Sequence, residues 1–213
     1  MASPLSRGWL SGTLRRLVLR GQDGDTDDLA ETVVLHLVRG AGLDGVASMA
    51  RPRVGGVRRP LLGLRRSETE ALCADLGLTP IVDVMNSEPR FRRVRVRNEV
   101  MPLLADVAGR DVAALLARHA VVTADEVALL DDLSAEIDPA APWALRDAPP
   151  ALARRAVRRW LLANRVGDGR SVDAATVDRI LSVAAGHSEA CDVTIGWRVH
   201  RRAGVIRLVA PEP

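Results

Sequence analysis

Lysine and tyrosine are absent from the 213 residues and phenylalanine occurs once, at Phe91, so all thirty basic residues are arginine and four tryptophans complete the aromatics. A Walker-type phosphate loop needs its lysine, and Schiff-base or lysine general-base catalysis needs an amine; this chain supplies neither. Base-stacking platforms lean on several closely spaced aromatics, so any nucleic-acid contact must rest on arginine. Cysteine is nearly as scarce. Cys73 and Cys191 stand 118 positions apart with no second thiol or histidine at ligand spacing, which predicts a reducing cytoplasm and no structural metal. No apolar run approaches the ~20 residues of a membrane span.

What is present suffices for a core. A 47% hydrophobic composition over this length suits one ordinary domain or two small ones. The net charge of +3 is unevenly spread: residues 1–50 carry 5 Arg against 6 acids, 51–110 carry 12 against 7, 111–138 carry 1 against 7, and 139–213 carry 12 against 7. Two basic blocks flank an acidic one, which suits a surface that meets phosphate on some faces only. A GC-rich genome that writes every basic residue as arginine accounts for the total equally well, but not for its placement.

The leader "MASPLSRGWLSGTLRRLVLRGQ" has no acid before Asp23 and resembles a transit peptide by composition. Without the apolar centre of a secretory signal it is read as an irregular leader over residues 1–24 or a misplaced start. "TLRRLVLRG" offers a short strand. "DDLAETVVLHLVRG" predicts a helix with Ala30, Val33, Val34, Leu37 and Val38 on one side and Gly40 ending it. "RSETEALCADLGL" predicts another, capped by Ser67 with Glu70 in a capping box, with Ala71, Leu72 and Leu76 as its stripe and Gly77 as its stop. "TPIVDV" then reads as a strand, giving the rhythm of an α/β layer.

Beyond this point helices dominate. Over 91–107 the helical spacing of Phe91, Val94, Val100, Leu104 and Val107 competes with strand-like alternation at 93–97, and a helix bent by Pro102 is the expectation. From Asp111 to Ile137 the apolar positions Val112, Leu115, Leu116, Val122, Leu129, Leu130, Leu133 and Ile137 describe one long helix, with a break near Thr123 left open. "DPAAPWALRDAPP", with four prolines, reads as a linker. "ALARRAVRRWLLANRVG" buries Leu152, Val157, Trp160 and Leu161, while Arg154, Arg155, Arg158 and Arg159 form a solvated face or touch RNA. "SVDAATVDRILSVAAG" runs from Ser171 as cap to Gly186 as stop, and alternation with a turn near Ala203 and Gly204 predicts a C-terminal β-hairpin.

"DTDDLAET" gathers Asp27, Asp28, Glu31 and Thr32 at the start of a helix, with Asp28 and Glu31 three apart on one face. Asp28 as N-cap and Glu31 at the third position would be a capping arrangement alone. Equally, such a cluster can hold an ammonium group or a metal-bound nucleotide. His36 reads as structural, and His119, His187 and His200 lack partners at metal or triad spacing.

With "DDLAET" at 27–32, "RGAG" at 39–42, "RPLLG" at 59–63, and Asp83, Asn86, Glu88, Phe91, Arg93 and Arg97 in that order, the chain resembles the tRNA(Ile)-lysidine synthetases of the PP-loop ATP pyrophosphatase superfamily, actinobacterial type. The resemblance implies an ATP-dependent ligation of lysine to the wobble cytidine of an isoleucine tRNA, with ATP, Mg2+, free lysine and tRNA as cofactors and partners. It assigns Asp28 and Glu31 to the lysine ammonium and its protons, Asp27 and Thr32 to the nucleotide side, and Asn86, Arg93 and Arg97 to substrate or developing phosphate charge. The fold class it implies is α/β plus α: the trailing part of a truncated Rossmann-like domain over 25–108, then a mainly helical tRNA-binding domain over 109–213. The family's Ser-Gly-Gly-x-Asp-Ser loop is not in these residues, and its motif histidine and glutamine positions hold Gly24 and Leu29. The expectation is an N-terminal ATP-binding half supplied elsewhere, ligation not completed by this chain alone, and, as alternatives, a non-catalytic RNA-binding module or a gene remnant.

Overall fold

A computed structural model describes residues 24–51, 59–79, 88, 90–166, 172–194 and 196–211. The leader up to residue 23, the strand expected at 13–21, nearly all of that expected at 79–84, and Asn86 lie outside the described residues. Two compact units divide the chain, one ending at Val127 and the other beginning at Ala128.

In the first unit every described element is helical. Helix α1 (Thr26–Val38) begins three residues before the sequence reading placed it: Asp25 is the N-cap, its Oδ1 accepting the Asp28 N–H at 2.7 Å, while Asp28 Oδ2 accepts the Asp25 N–H at 3.3 Å. The cap assigned to Asp28 is corrected to Asp25 because Thr26 is fixed from outside the helix. Its N–H donates to the Leu64 carbonyl at 2.8 Å and its hydroxyl to the Leu62 carbonyl at 2.9 Å. Asp28 takes the third position instead, and Glu31 is left to the interior.

A short helix α2 (Leu43–Ala47) is held to α1 by His36, whose Nδ1 lies 2.6 Å from the Gly45 carbonyl oxygen. Helix α3 (Arg66–Asp75) follows Arg65, whose N–H donates to Glu68 Oε2 at 2.7 Å. The expected Ser67–Glu70 box is therefore displaced, because Glu68 rather than Glu70 reaches back. Cys73, not Ala71, is this helix's buried residue.

Residues 92–108 are helical as the spacing of apolar side chains predicts, but in three pieces: α4 (Arg92–Arg95), a π-helical turn (Val96–Val100) and α5 (Met101–Ala108). Pro102 has no N–H and its ring crowds the carbonyl four residues back, and widening the preceding turn relieves that conflict. Helix α6 (Ala113–Ala135) is the single long helix that the spacing predicts, continuous through Thr123. Its buried positions are Ala113, Ala117, Ala120, Thr123, Val127 and Ser134, whereas Val122, Leu129 and Leu133 are exposed. Leu29 and Val33 of α1, Val46 of α2, and Ala117 and Ala120 of α6 make this unit's core.

The second unit corrects the linker. Its prolines frame α7 (Pro142–Asp147), whose Leu145 is a core residue, and α8 (Pro150–Ala163), where proline at the first turn costs no hydrogen bond. Helix α9 (Ala174–Ala185) is capped by Asp173, whose Oδ1 accepts the Thr176 N–H at 2.7 Å, not by Ser171. Gly186 ends it in the left-handed conformation as expected. The expected hairpin is present and extended to three antiparallel strands in order β1 (Ala190–Thr194), β2 (Trp197–Arg202), β3 (Val205–Val209). Ala203 and Gly204 both adopt positive φ, 50° and 74°, as a two-residue hairpin turn requires.

Val157, Leu161, Val177, Ile180 and Val183 from the helices, with Val166 from the turn after α8, meet Val193, Val199 and Ile206 from the sheet's inner face. Each such side chain contributes roughly 1.5–3 kcal/mol. No helix among the described residues is long and apolar enough to cross a membrane. Cys73 and Cys191 are both free thiols.

Candidate functional site

The N-cap and first two turns of α1 carry four acids, Asp25, Asp27, Asp28 and Glu31, and arginines from three other segments converge on them. Glu31, only 2% exposed, accepts from Arg97 Nε at 2.7 Å and from Arg66 at 3.2 Å through Oε1, and from Arg93 Nε at 3.0 Å and Arg97 Nη2 at 3.0 Å through Oε2. Asp28 Oδ1 accepts from Arg66 Nη2 and Arg93 Nη2, both at 2.8 Å. Three guanidiniums thus bracket two carboxylates one helical turn apart.

Asp27 faces a different partner. Both its oxygens bond to Arg65, with Nη2 at 2.7 Å, and its Oδ2 also accepts the Arg66 N–H at 2.8 Å. Arg65 also pairs with Asp111, whose other oxygen caps α6 through the Ala113 N–H. Thr32 donates its hydroxyl to the Asp28 carbonyl at 2.8 Å, a bond within the helix.

Charge regulation follows from these contacts. Burial alone would raise the Glu31 carboxyl, but hydrogen bonds from Arg97 and Arg93 hold it below its ordinary value of 4.5. Asp27 is likewise lowered from 3.8, since bonds from the Arg65 side chain and the Arg66 N–H outweigh burial. Asp25 goes the other way: burial raises it, despite the hydrogen bond from the Asp28 N–H. The Arg97 guanidinium is raised by its hydrogen bonds to Glu31. Glu31 is therefore ionised and a weak base, better suited to hold charge than to accept protons.

For Glu31 and Asp27 the folded values lie below the ordinary 4.5 and 3.8, so their stabilisation is complete above those values and is lost as pH falls through the lowered ones. Asp25, raised by burial, contributes in the opposite direction. Thermal melts followed by far-UV circular dichroism between pH 7 and pH 3 are expected to show a first unit of constant stability down to about pH 4.5, then a steep fall. A melting temperature that stays flat to pH 3 would remove the network as a source of stability.

Of the residues singled out from sequence, Asp27, Asp28, Glu31, Thr32, Arg93 and Arg97 are gathered at α1, while Asn86 lies outside the described residues. Sequence reasoning missed Asp25, Arg65, Arg66 and Asp111. A signal for two of them was available: adjacent arginines at the start of a helix oppose its dipole, so they need carboxylates from elsewhere. Gly24 stands at the motif's histidine position, and a Cβ there would come within 2.5 Å of Met49 Cε, so a larger residue requires that flexible side chain to move.

Chemically, the arrangement is a cluster of guanidiniums balanced by carboxylates. Asp25, Asp28 and Glu31 offset Arg66, Arg93 and Arg97, and among the described residues Nη1 of Arg93 and Nη1 of Arg97 donate to no acceptor. Fixed guanidinium forks with donors to spare suit phosphate oxygens.

Residues 16–104 match the PP-loop domain family, which fits a Rossmann-like fold, and residues 143–206 match the TilS substrate binding domain. The tRNA(Ile)-lysidine synthase of Nocardia farcinica is 50% identical over 145 residues, 64% of this chain and 45% of that protein. That of Mycobacterium tuberculosis H37Rv is 42% identical over 171 residues, 75% of this chain and 53% of its own length. In Cutibacterium acnes the enzyme is 36% identical over 216 residues, covering 92% of this chain and 65% of the relative. The chain spans about half the length of the first two of these curated relatives. With a PP-loop match ahead of a substrate-binding match, and relatives of one name spanning both, the chain resembles the tRNA(Ile)-lysidine synthases, actinobacterial ones among them.

Proposed function

We propose that the chain takes part in tRNA modification, contributing the lysine-facing and tRNA-facing parts of an ATP-dependent ligation that forms lysidine on isoleucine tRNA. The observation that carries this reading is the pairing of Arg93 and Arg97, both at positions of the family motif, with Asp28 and Glu31, joined there by Arg66. In this reading the two carboxylates have different roles. Glu31, buried and held ionised, positions Arg66, Arg93 and Arg97. Asp28, less buried, is the carboxylate that meets the lysine ammonium, and the free Nη1 donors of Arg93 and Arg97 face phosphate oxygens.

Asp27 and Thr32 do not fit a Mg2+–nucleotide site as they stand. Both Asp27 oxygens are taken by Arg65, and the Thr32 hydroxyl is spent on the Asp28 carbonyl. No step is therefore routed through ATP on these residues, and the triphosphate cradle is assigned to residues other than those described. On this reading the purified chain has no lysine- and tRNA-dependent ATP consumption by itself. Measured turnover would overturn the assignment.

A positive test is available as well. Arg93→Gln, at a half-exposed position, is expected to weaken binding of a CAU-anticodon isoleucine tRNA about tenfold in fluorescence anisotropy, the loss of a charged hydrogen-bond pair. Unchanged affinity would remove Arg93 from the tRNA surface. The second reading, a non-catalytic RNA-binding module, is favoured by the engagement of both Asp28 and Glu31 with arginine. It requires tRNA affinity to be indifferent to lysine and ATP, whereas the ligation reading requires lysine to compete with the arginines for Asp28.

A further inference from the structure

The three arginines of the α1 cluster are not held alike. Arg97 grips both oxygens of Glu31, at 2.7 and 3.0 Å, and Arg93 spans Glu31 at 3.0 Å and Asp28 at 2.8 Å. Arg66 reaches Glu31 only through Oε1, at 3.2 and 3.3 Å, and the short bond of its side chain is to Asp28 Oδ1, at 2.8 Å. Its Nε stands 3.5 Å from Oδ2 of Asp25, a residue only 7% exposed. Three carboxylates thus converge on one guanidinium, and it meets one of them well.

The misfit is a matter of shape. A guanidinium is a flat fork suited to one carboxylate at a time, whereas a primary ammonium is a compact charge with three rotatable donors. Asp25, Asp28 and Glu31 therefore suit an ammonium better than the cation now among them, and the chain has no lysine of its own to supply one. Charge requires exchange rather than addition. The three acids already balance Arg66, Arg93 and Arg97, and a fourth cation would stand unpaired where desolvation makes that costly.

Of the three, Arg66 is the one that can leave. Its departure leaves Glu31 with three bonds from Arg93 and Arg97. The start of α3 stays fixed, because the Arg66 N–H remains on Asp27 Oδ2 at 2.8 Å and Arg65 remains on both Asp27 oxygens. Only a side chain has to swing, and 29% of it is already in solvent.

We propose that Arg66 is an internal stand-in for the substrate ammonium: its guanidinium fills the seat between Asp25, Asp28 and Glu31 until free lysine displaces it into solvent. The proposal rests on the reading of Asp28 as the carboxylate that meets lysine. To that reading it adds Asp25 as a third carboxylate of the seat and Arg66 as its gate, so that the chain itself limits lysine binding.

The test titrates the full chain with L-lysine by calorimetry, with L-norleucine, which lacks the side-chain ammonium, as the control ligand. Arg66→Gln removes the resident cation and is expected to bind L-lysine about tenfold more tightly, the gain when a competitor that fills about nine sites in ten is lost. Arg66→Lys returns a tethered cation and is expected to abolish that gain. In the unaltered chain, L-lysine is expected to move the Arg66 Nε–H signal in nitrogen NMR to that of a solvated arginine, while the Arg97 Nε–H signal, held on Glu31, stays in place. That readout does not depend on the stability of any variant. Equal or weaker lysine binding by folded Arg66→Gln, or an Arg66 signal that lysine does not move, overturns the gate while leaving the proposed function standing, provided that Asp28→Asn abolishes binding. Lysine binding that survives Asp28→Asn, or a chain that in every form binds lysine no better than norleucine, overturns both.

Discussion

Glu31→Ala is expected to destabilise the first unit by roughly 3–5 kcal/mol, the cost of leaving partly buried charges without their counter-ion. The reason lies in the arithmetic of one buried side chain: two Glu31 oxygens accept five hydrogen bonds from Arg66, Arg93 and Arg97. Without it, three guanidiniums face Asp28 and Asp25 alone. All three are partly solvated, so water recovers some of the loss and the lower end of the range is favoured. Urea unfolding combined with amide hydrogen exchange of residues 26–38 reads this directly. Glu31→Gln, which keeps shape and an acceptor but not charge, is expected to cost about half as much. A loss below about 1 kcal/mol in Glu31→Ala would mean that solvent screens the whole network, and with it would go the idea that Glu31 positions the arginines.

Much of this architecture was legible in the sequence, and the misreadings share a cause. Amphipathic spacing located α1, α8 and α9, and Gly186 and the Ala203–Gly204 turn were found because left-handed backbone leaves a residue-type signature. Helix starts were misplaced at α1, α3 and α9. Each has several acids or hydroxyls within one turn, and which of them caps depends on tertiary bonds such as Thr26 to Leu62 and Leu64. The candidate site was half legible. Asp28, Glu31, Arg93 and Arg97 were implied by the family resemblance, but Arg66 lies 35 residues from Glu31, with nothing local to join them. The arginines of α8 and β2 looked alike in sequence. Only the positions of Asp178 and Asp131 show that, on α8, Arg154 and Arg155 are paired with carboxylates.

The long helix α6 gave the largest error of pattern, and it leads to a second prediction. Leucine spacing nominates Leu129 and Leu133 as core, yet Leu129 is 60% exposed, while Ile180 of α9 is fully buried among Leu145, Val157, Leu161, Val193, Val199 and Ile206. Ile180→Ala removes three carbons from a site walled by two helices and a sheet, which cannot collapse around the gap. Its cost is expected at about 3–4 kcal/mol, transfer and cavity together. Leu129→Ala is expected to stay within about 0.5 kcal/mol, because no packed neighbour is lost. Tryptophan fluorescence reports the second unit, where three of the four tryptophans lie, at positions 143, 160 and 197. Denaturant curves for the two variants, compared at equal slope, decide the matter. If Leu129→Ala proves as costly as Ile180→Ala, then the leucine stripe is buried in solution and the alanine face of α6 is not the one that packs. The structure predicts the reverse order, since burial at Ala113, Ala117, Ala120 and Val127 already accounts for one side of that helix.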